Sequence, residues 1–162
     1  MEKEKRTLKF SEIFGFGAGG MFTYGFQLMI TGYYLLYYMT DIAGFSTVLA
    51  ASLYSTIQII KMVTMLFSGV IIDAINFRSG KYRTWVLVSG IGLGLFFPLS
   101  FFYYPLPQSV YVVVFMIIYT LQTLFYNVGW TAMRAVIGKV AKNKADVVAL
   151  NTSAQSAGTI SS

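Results

Sequence analysis

The chain has 162 residues, of which 56% are hydrophobic and 11% charged, with 12 Lys and Arg against 6 Asp and Glu. A water-soluble domain carries roughly a quarter charged residues, so the composition points to lipid as the solvent for most of this chain. The lack of both cysteine and histidine excludes disulfide frameworks, thiol chemistry and metal sites built on those ligands, and no cofactor or metal is expected.

Residues 1–12 carry Lys3, Lys5, Arg6 and Lys9 and form a basic amino-terminal segment. The next stretch, Ile13–Thr40, has 28 residues and no charge. A hydrocarbon core about 30 Å thick is crossed by about 20 apolar residues in a helix, which predicts a first transmembrane helix over 13–39. It is too long for a signal-peptide core and lacks a clean small-residue cleavage site. A second span is predicted over 47–72, where Lys61 is the sole charge between Asp41 and Asp73. From Thr84 to Met133 run 50 uncharged residues, interrupted by Pro105-Leu-Pro-Gln-Ser109; these give spans over 84–104 and 109–132. Residues 133–145 read as a basic loop. Residues 146–162 read as the start of a fifth helix, with Ala154, Ser156 and Gly158 suited to close packing; a tail on the membrane surface is the alternative. A soluble core accommodates one such apolar run but not four in succession. The predicted fold class is an all-α integral membrane protein with four transmembrane helices plus the start of a fifth.

Eleven of the twelve basic residues fall in three groups, before the first span, between the second and third, and after the fourth. Loops 41–46 and 105–108 contain no Lys or Arg. This is the positive-inside distribution and predicts a multi-pass protein of the cell membrane with a cytoplasmic amino terminus. The net charge of +6 is thus a topology signal, and no nucleic-acid partner is expected.

Helical geometry tests the faces of these spans. At 100° per residue, Gly20, Tyr24, Gln27, Thr31, Tyr34 and Tyr38 share an arc of about 80° on helix one. On helix two Tyr54, Gln58, Lys61, Thr64, Met65 and Ser68 share about 120°. On helix four Tyr119, Gln122, Thr123, Tyr126 and Trp130 share about 100°, with Asn127 at the edge. Aromatic faces with amide and hydroxyl groups suit sugars, whose C–H faces meet rings and whose hydroxyls meet polar side chains. The bland alternative is that these groups tie helices together. Some of Tyr33, Tyr34, Tyr37 and Tyr38 also fit an outer aromatic belt. Helix three, with Gly90, Gly92 and Gly94, reads as a packing or lipid-facing element.

The most specific local pattern is Gly69-Val-Ile-Ile-Asp73, followed by Arg78-Ser-Gly80-Lys81-Tyr-Arg83-Thr-Trp85. Gly69 would let a neighbouring helix approach closely. Asp73 would sit at the cytoplasmic end of helix two, facing helix N-termini or the loop cations Arg78, Lys81 and Arg83, and Trp85 would lie at the interfacial level. This GxxxD…RxGKxRxW spacing resembles the helix two–three loop of major facilitator transporters, above all the glycoside–pentoside–hexuronide:cation symporters. Gly15-Phe-Gly-Ala-Gly-Gly20, residues 33–44 and the run from Tyr126-Asn127 to Ala135 add to the resemblance, which covers nearly the whole chain. It implies two six-helix halves with substrate bound between them, this chain supplying four helices and part of the fifth as an amino-terminal portion incomplete alone. A sugar or glycoside substrate, coupling to Na⁺ or H⁺, the remaining helices and the bilayer are the partners implied.

The family's helix two carries an arginine and then two aspartates four residues apart, the second followed by proline. Those positions correspond here to Gln58, Lys61, Met65 and Leu66. The acidic residue of helix one falls at Phe22 and that of helix four at Tyr126 or Asn127. The usual acidic cation ligands are therefore absent, and a hard cation lacks its oxygen donors here. Lys61 either replaces the bound cation, pairs with an anionic substrate group, exchanges a proton, or pairs with an acidic residue elsewhere as a structural element. The leading functional reading is part of a sugar or glycoside carrier; the alternative is a small four-helix membrane scaffold or assembly protein. A membrane enzyme is the weakest, since neither His, Cys nor an acidic pair is available.

Overall fold

Backbone polar groups inside a bilayer must find partners within their own segment, and an apolar chain of this kind satisfies that demand by folding as helix. The computed structural model describes residues 8–20, 25–75, 77 and 80–159. The candidate residues Tyr24 and Arg78 lie outside them, as do Lys3, Lys5 and Arg6. The described elements are α1 (Phe10–Gly20), α2 (residues 26–42), α3 (Thr47–Ala74), α4 (Lys81–Ser100), α5 (Gln108–Val140) and α6 (Lys144–Thr159). Three of them, α3, α4 and α5, are long and apolar enough to cross a membrane.

Local chemistry sets the boundaries. Gly44, at φ +70°, turns the chain before α3, and the Ser46 hydroxyl accepts the Leu49 N–H to cap that helix. Gly80, at φ +101°, occupies the N-cap of α4 in a region that L side chains enter only with strain. Asn143 caps α6 by accepting the Asp146 N–H at 2.8 Å. The buried Asp146 carboxylate in turn accepts the backbone N–H groups of Leu8 and Lys142, both at 3.3 Å. That arrangement holds the start of α6 against the segment leading into α1.

The central element is α5, which packs on one side against α4 and on another against α3, while α1 runs along α6. A Cβ at Gly92 would overlap the ring of Phe125, so α4 and α5 approach closely there. Likewise a Cβ at Gly17 would stand 3.0 Å from the Ser153 carbonyl oxygen, which fixes the α1–α6 approach. Near the start of α5 an aromatic core forms around Tyr38, Phe45, Tyr111, Phe115 and Tyr119. Within it the Tyr38 hydroxyl donates to the Phe102 carbonyl at 2.9 Å and accepts from the Tyr111 hydroxyl at 2.7 Å. Toward its other end Ile72, Trp85, Val128 and Ala132 form a second cluster.

Several boundaries differ from the sequence expectation. The helix expected over 109–132 continues to Val140, because basic residues do not break a helix and neither Pro nor a left-handed Gly intervenes. The basic loop expected over 133–145 therefore shrinks to residues 141–143, and α6 begins at Lys144 rather than 146. The span expected over 84–104 begins at Lys81, directly after the Gly80 cap, and ends at Ser100, two residues past Pro98. The span expected over 13–39 is described as α1 and α2. Along α2, α-helical Phe26–Met29 and Leu35–Tyr37 alternate with π-helical Ile30–Tyr34 and Tyr38–Ile42.

Candidate functional site

A cleft of about 310 Å³ opens between α2, α3 and α5, lined by Gln27, Thr31, Lys61, Met62, Met65, Thr123, Tyr126 and Asn127. Six of these are polar or aromatic side chains of the stripes: Gln27, Thr31, Lys61, Thr123, Tyr126 and Asn127. Gln27, Thr31, Thr123 and Asn127 are buried, so each sits at a fixed position rather than on a mobile surface. Met62 was not among the expected residues and Met65 only within the helix-two arc; both flank Lys61 and give the cleft a polarizable apolar wall.

Asn127 holds the seam that forms the floor of this cleft. Its side-chain amide donates to Thr64 Oγ1 at 2.7 Å and to the Lys61 carbonyl at 3.1 Å, tying α5 to α3. One turn on, the hydroxyls of Ser68 and Thr131 bond each other at 2.8 Å. Interhelical hydrogen bonds in membranes average about 0.6 kcal/mol and reach about 1.7 kcal/mol. These ties therefore set the register of α3 on α5 more than they stabilise the pair.

Lys61 stands midway along α3, and its ammonium lies 6.0 Å from the centre of the Tyr119 ring. Tyr119 is buried, with Thr31 and Tyr54 as its polar neighbours. An ammonium at the centre of a spanning helix costs about 2.5–3.5 kcal/mol on insertion scales. A cation–π contact returns roughly 0.5–2 kcal/mol, and about 6 Å is the limit of its range, so Tyr119 offsets only part of that cost. No described acidic side chain pairs with Lys61. Glu12 accepts the Lys9 N–H, Asp41 the Thr40 hydroxyl, Asp73 the Lys81 ammonium and Asp146 the backbone N–H groups named above.

The remaining candidates lie elsewhere. Gln122 is fully buried, but its Oε1 accepts the Ser100 hydroxyl at 2.5 Å, so it joins α5 to α4. Gln58 is exposed and outside the cleft lining. Tyr34 is 40% exposed and packs on Tyr37 and Phe101. The reason is the π-turn at Ile30–Tyr34: each such turn inserts an extra residue, which carries Tyr34 off the arc that 100° steps assign to it. Tyr33 and Tyr37 are exposed, as an aromatic belt requires, whereas Tyr38 is buried in the core. Trp130 meets the Arg134 guanidinium at 4.6 Å and is not part of the cleft lining.

At the other end of α3 the loop motif forms its own cluster. The Lys81 ammonium contacts the Asp73 carboxylate at 2.6 Å. The Tyr82 ring lies 5.8 Å from Lys81 and 5.1 Å from Lys139, linking the loop to the end of α5. Arg83 is exposed beside an apolar groove that includes Gly15, Gly19 and Gly90. At Gly69 no described atom comes within 4 Å of a Cβ position, so the close approach expected there is not made by the described residues. Trp85, expected at the interface, is buried and meets Phe77 edge-on at 5.4 Å.

Residues 15–162 match the model of the family described as MFS/sugar transport protein. The chain belongs to that family. Among its relatives in Escherichia coli (strain K12) is YagG, named as a glycoside/cation symporter, 29% identical over 126 residues, which are 76% of this chain and 27% of that protein. The inner membrane symporter YicJ is 26% identical over 107 residues, covering 64% and 23% of the two chains. A glucuronide carrier protein homolog is 28% identical over 94 residues, covering 58% and 20%. The matches span between 20% and 27% of these relatives' own lengths. The family match agrees with the glycoside–pentoside–hexuronide:cation symporter resemblance carried by the loop motif. No solved structure is significantly similar to the chain.

Proposed function

We propose that this chain is the amino-terminal portion of a secondary transporter for sugars or glycosides. It supplies one wall of a substrate cleft that a second half completes, and it does not transport alone. The observation that carries this reading is the convergence of Gln27, Thr31, Lys61, Thr123, Tyr126 and Asn127, from three helices, on one cleft of about 310 Å³. Neutral amide and hydroxyl groups beside a tyrosine ring match the mixed polar and C–H surface of a pyranose. α1 with α2, then α3, α4 and α5, belong to the first four spans in this reading, and α6 opens the fifth. The basic amino terminus and the basic loops then face the cytoplasm of a cell membrane, where Gly69, Asp73, Arg78, Gly80, Lys81 and Arg83 act as a gate motif. The Asp73–Lys81 contact and the Tyr82 ring between Lys81 and Lys139 support that role, since both join separate helices at the same end of α3, α4 and α5.

The test is uptake of a labelled glycoside into vesicles by the full-length polypeptide carrying this chain. Gln27→Ala and Thr123→Val are expected to lower uptake at limiting substrate by about tenfold each, the effect of one substrate hydrogen bond, at unchanged expression. Gln58→Ala is expected to leave uptake near wild type. Equal uptake by all three variants would overturn the assignment of the cleft.

A further inference from the structure

Lys61 brings a positive charge into the cleft without a described carboxylate to pair with it. The acidic residues of the described chain, Glu12, Asp41, Asp73 and Asp146, are engaged at helix ends. From Ile13 to Thr40 and from Thr84 to Met133 the sequence holds no acidic residue. The ammonium instead sits at the edge of the Tyr119 ring's reach, 6.0 Å from its centre, and lines the cleft beside Met62, Met65, Thr123 and Asn127. The Asn127 amide, spent on the Lys61 backbone carbonyl and Thr64, holds the α3 backbone and leaves the Lys61 head to face the cleft. A partly desolvated ammonium attracts an anion and repels a second cation at close range. The other polar groups of the lining are neutral, so Lys61 sets the sign of the cleft.

We propose that the Lys61 ammonium is a built-in cation that binds a carboxylate carried by the ligand, so that the cleft takes an acidic sugar or glycoside and does so without Na⁺. This rests on the reading of the cleft as a sugar site. Lys61 meets the carboxylate through a charge-assisted hydrogen bond, while Gln27, Thr31 and Thr123 meet the hydroxyls of the same ring.

The experiment is equilibrium binding to the purified full-length polypeptide in nanodiscs. The probes are two matched pairs, glucuronate with glucose and galacturonate with galactose, in NaCl and in choline chloride at equal ionic strength. Wild type is expected to bind the acid of at least one pair about tenfold or more tighter than its neutral partner, as one hydrogen bond to a charged group gives. Exchange of Na⁺ for choline is expected to change that affinity by less than about twofold. K61Q is expected to bring the acid-to-neutral ratio below about threefold, while K61R keeps it. A neutral sugar bound as tightly as its acid overturns the proposal, as does Na⁺ tightening wild-type binding about tenfold. A K61Q variant that keeps the wild-type ratio overturns it too, because the carboxylate is then recognised without Lys61. The wild-type comparison decides the matter even if K61Q fails to fold. If neutral sugars bind and Thr123→Val weakens them, the sugar site stands and only the role of Lys61 falls. If no probe binds, both fall.

Discussion

Asn127 and Gly92 show how single residues place the helices that make the cleft. Replacing Asn127 by Leu removes the bonds to Thr64 and to the Lys61 carbonyl. The expected loss is about 0.6–1.7 kcal/mol in an unfolding titration in mixed micelles, with ligand affinity falling further because Lys61 loses its register. Gly92→Ala drives a methyl into the Phe125 ring, and the expected cost is about 1–3 kcal/mol. Gly94, two residues on and facing open space, is expected to tolerate alanine with a gain of up to about 1 kcal/mol. Comparing the two variants by thermal unfolding in one detergent separates packing from helix propensity. At this scale much of the lining of the candidate cleft was legible. Fixed 100° steps gathered Lys61 and Thr64 on one face of α3, and Thr123, Tyr126 and Asn127 on one face of α5. The same steps could not tell which of two neighbours each face of α5 meets. Gln122 therefore shared an arc with Thr123 yet turns to Ser100 on α4.

The elements depart from the sequence reading where the helix itself is irregular. No residue in Phe26–Ile42 announces a π-turn, because the signal is a mismatch in packing and not a residue type, and Tyr34 was misplaced for that reason. The start of α3 was legible, expected and observed at residue 47 beside the Ser46 cap, whereas α4 begins directly after Gly80, three residues before its expected start. The end of α5 was not legible at 133–140, where positive charge suggested a loop and the helix simply leaves the apolar zone. With 33 residues α5 runs about 50 Å, well beyond a hydrocarbon core of about 30 Å. The Asp73–Lys81 contact joins α3 to α4 at an exposed surface, where such pairs contribute at most about 1 kcal/mol. Asp73→Asn is thus expected to shift unfolding by less than about 1 kcal/mol while changing the rate of glycoside uptake. Restoration of that rate by the swapped pair, Asp73→Lys with Lys81→Asp, would show that contact rather than identity matters.

At the scale of the whole molecule, α3 leaves Ile59, Met62, Val63, Leu66, Phe67 and Val70 exposed. A run of large apolar side chains this extensive requires lipid or another apolar protein surface. It continues the side of α3 on which Met62 and Met65 border the cleft, the side on which a second half of a carrier would close. Reconstituted alone, the 162-residue chain is expected to give no glycoside uptake above protein-free vesicles, and the full-length polypeptide is expected to restore it. The central claim is that Gln27, Thr31 and Thr123 face a bound sugar. Single cysteines placed at those positions in the full-length polypeptide, on a background freed of other cysteines, test it most directly. The account predicts that saturating glycoside slows alkylation at all three positions while leaving cysteines at Gln58 and Tyr34 unaffected. Equal alkylation with and without glycoside at Thr31 and Thr123, or protection at Gln58 alone, would contradict it.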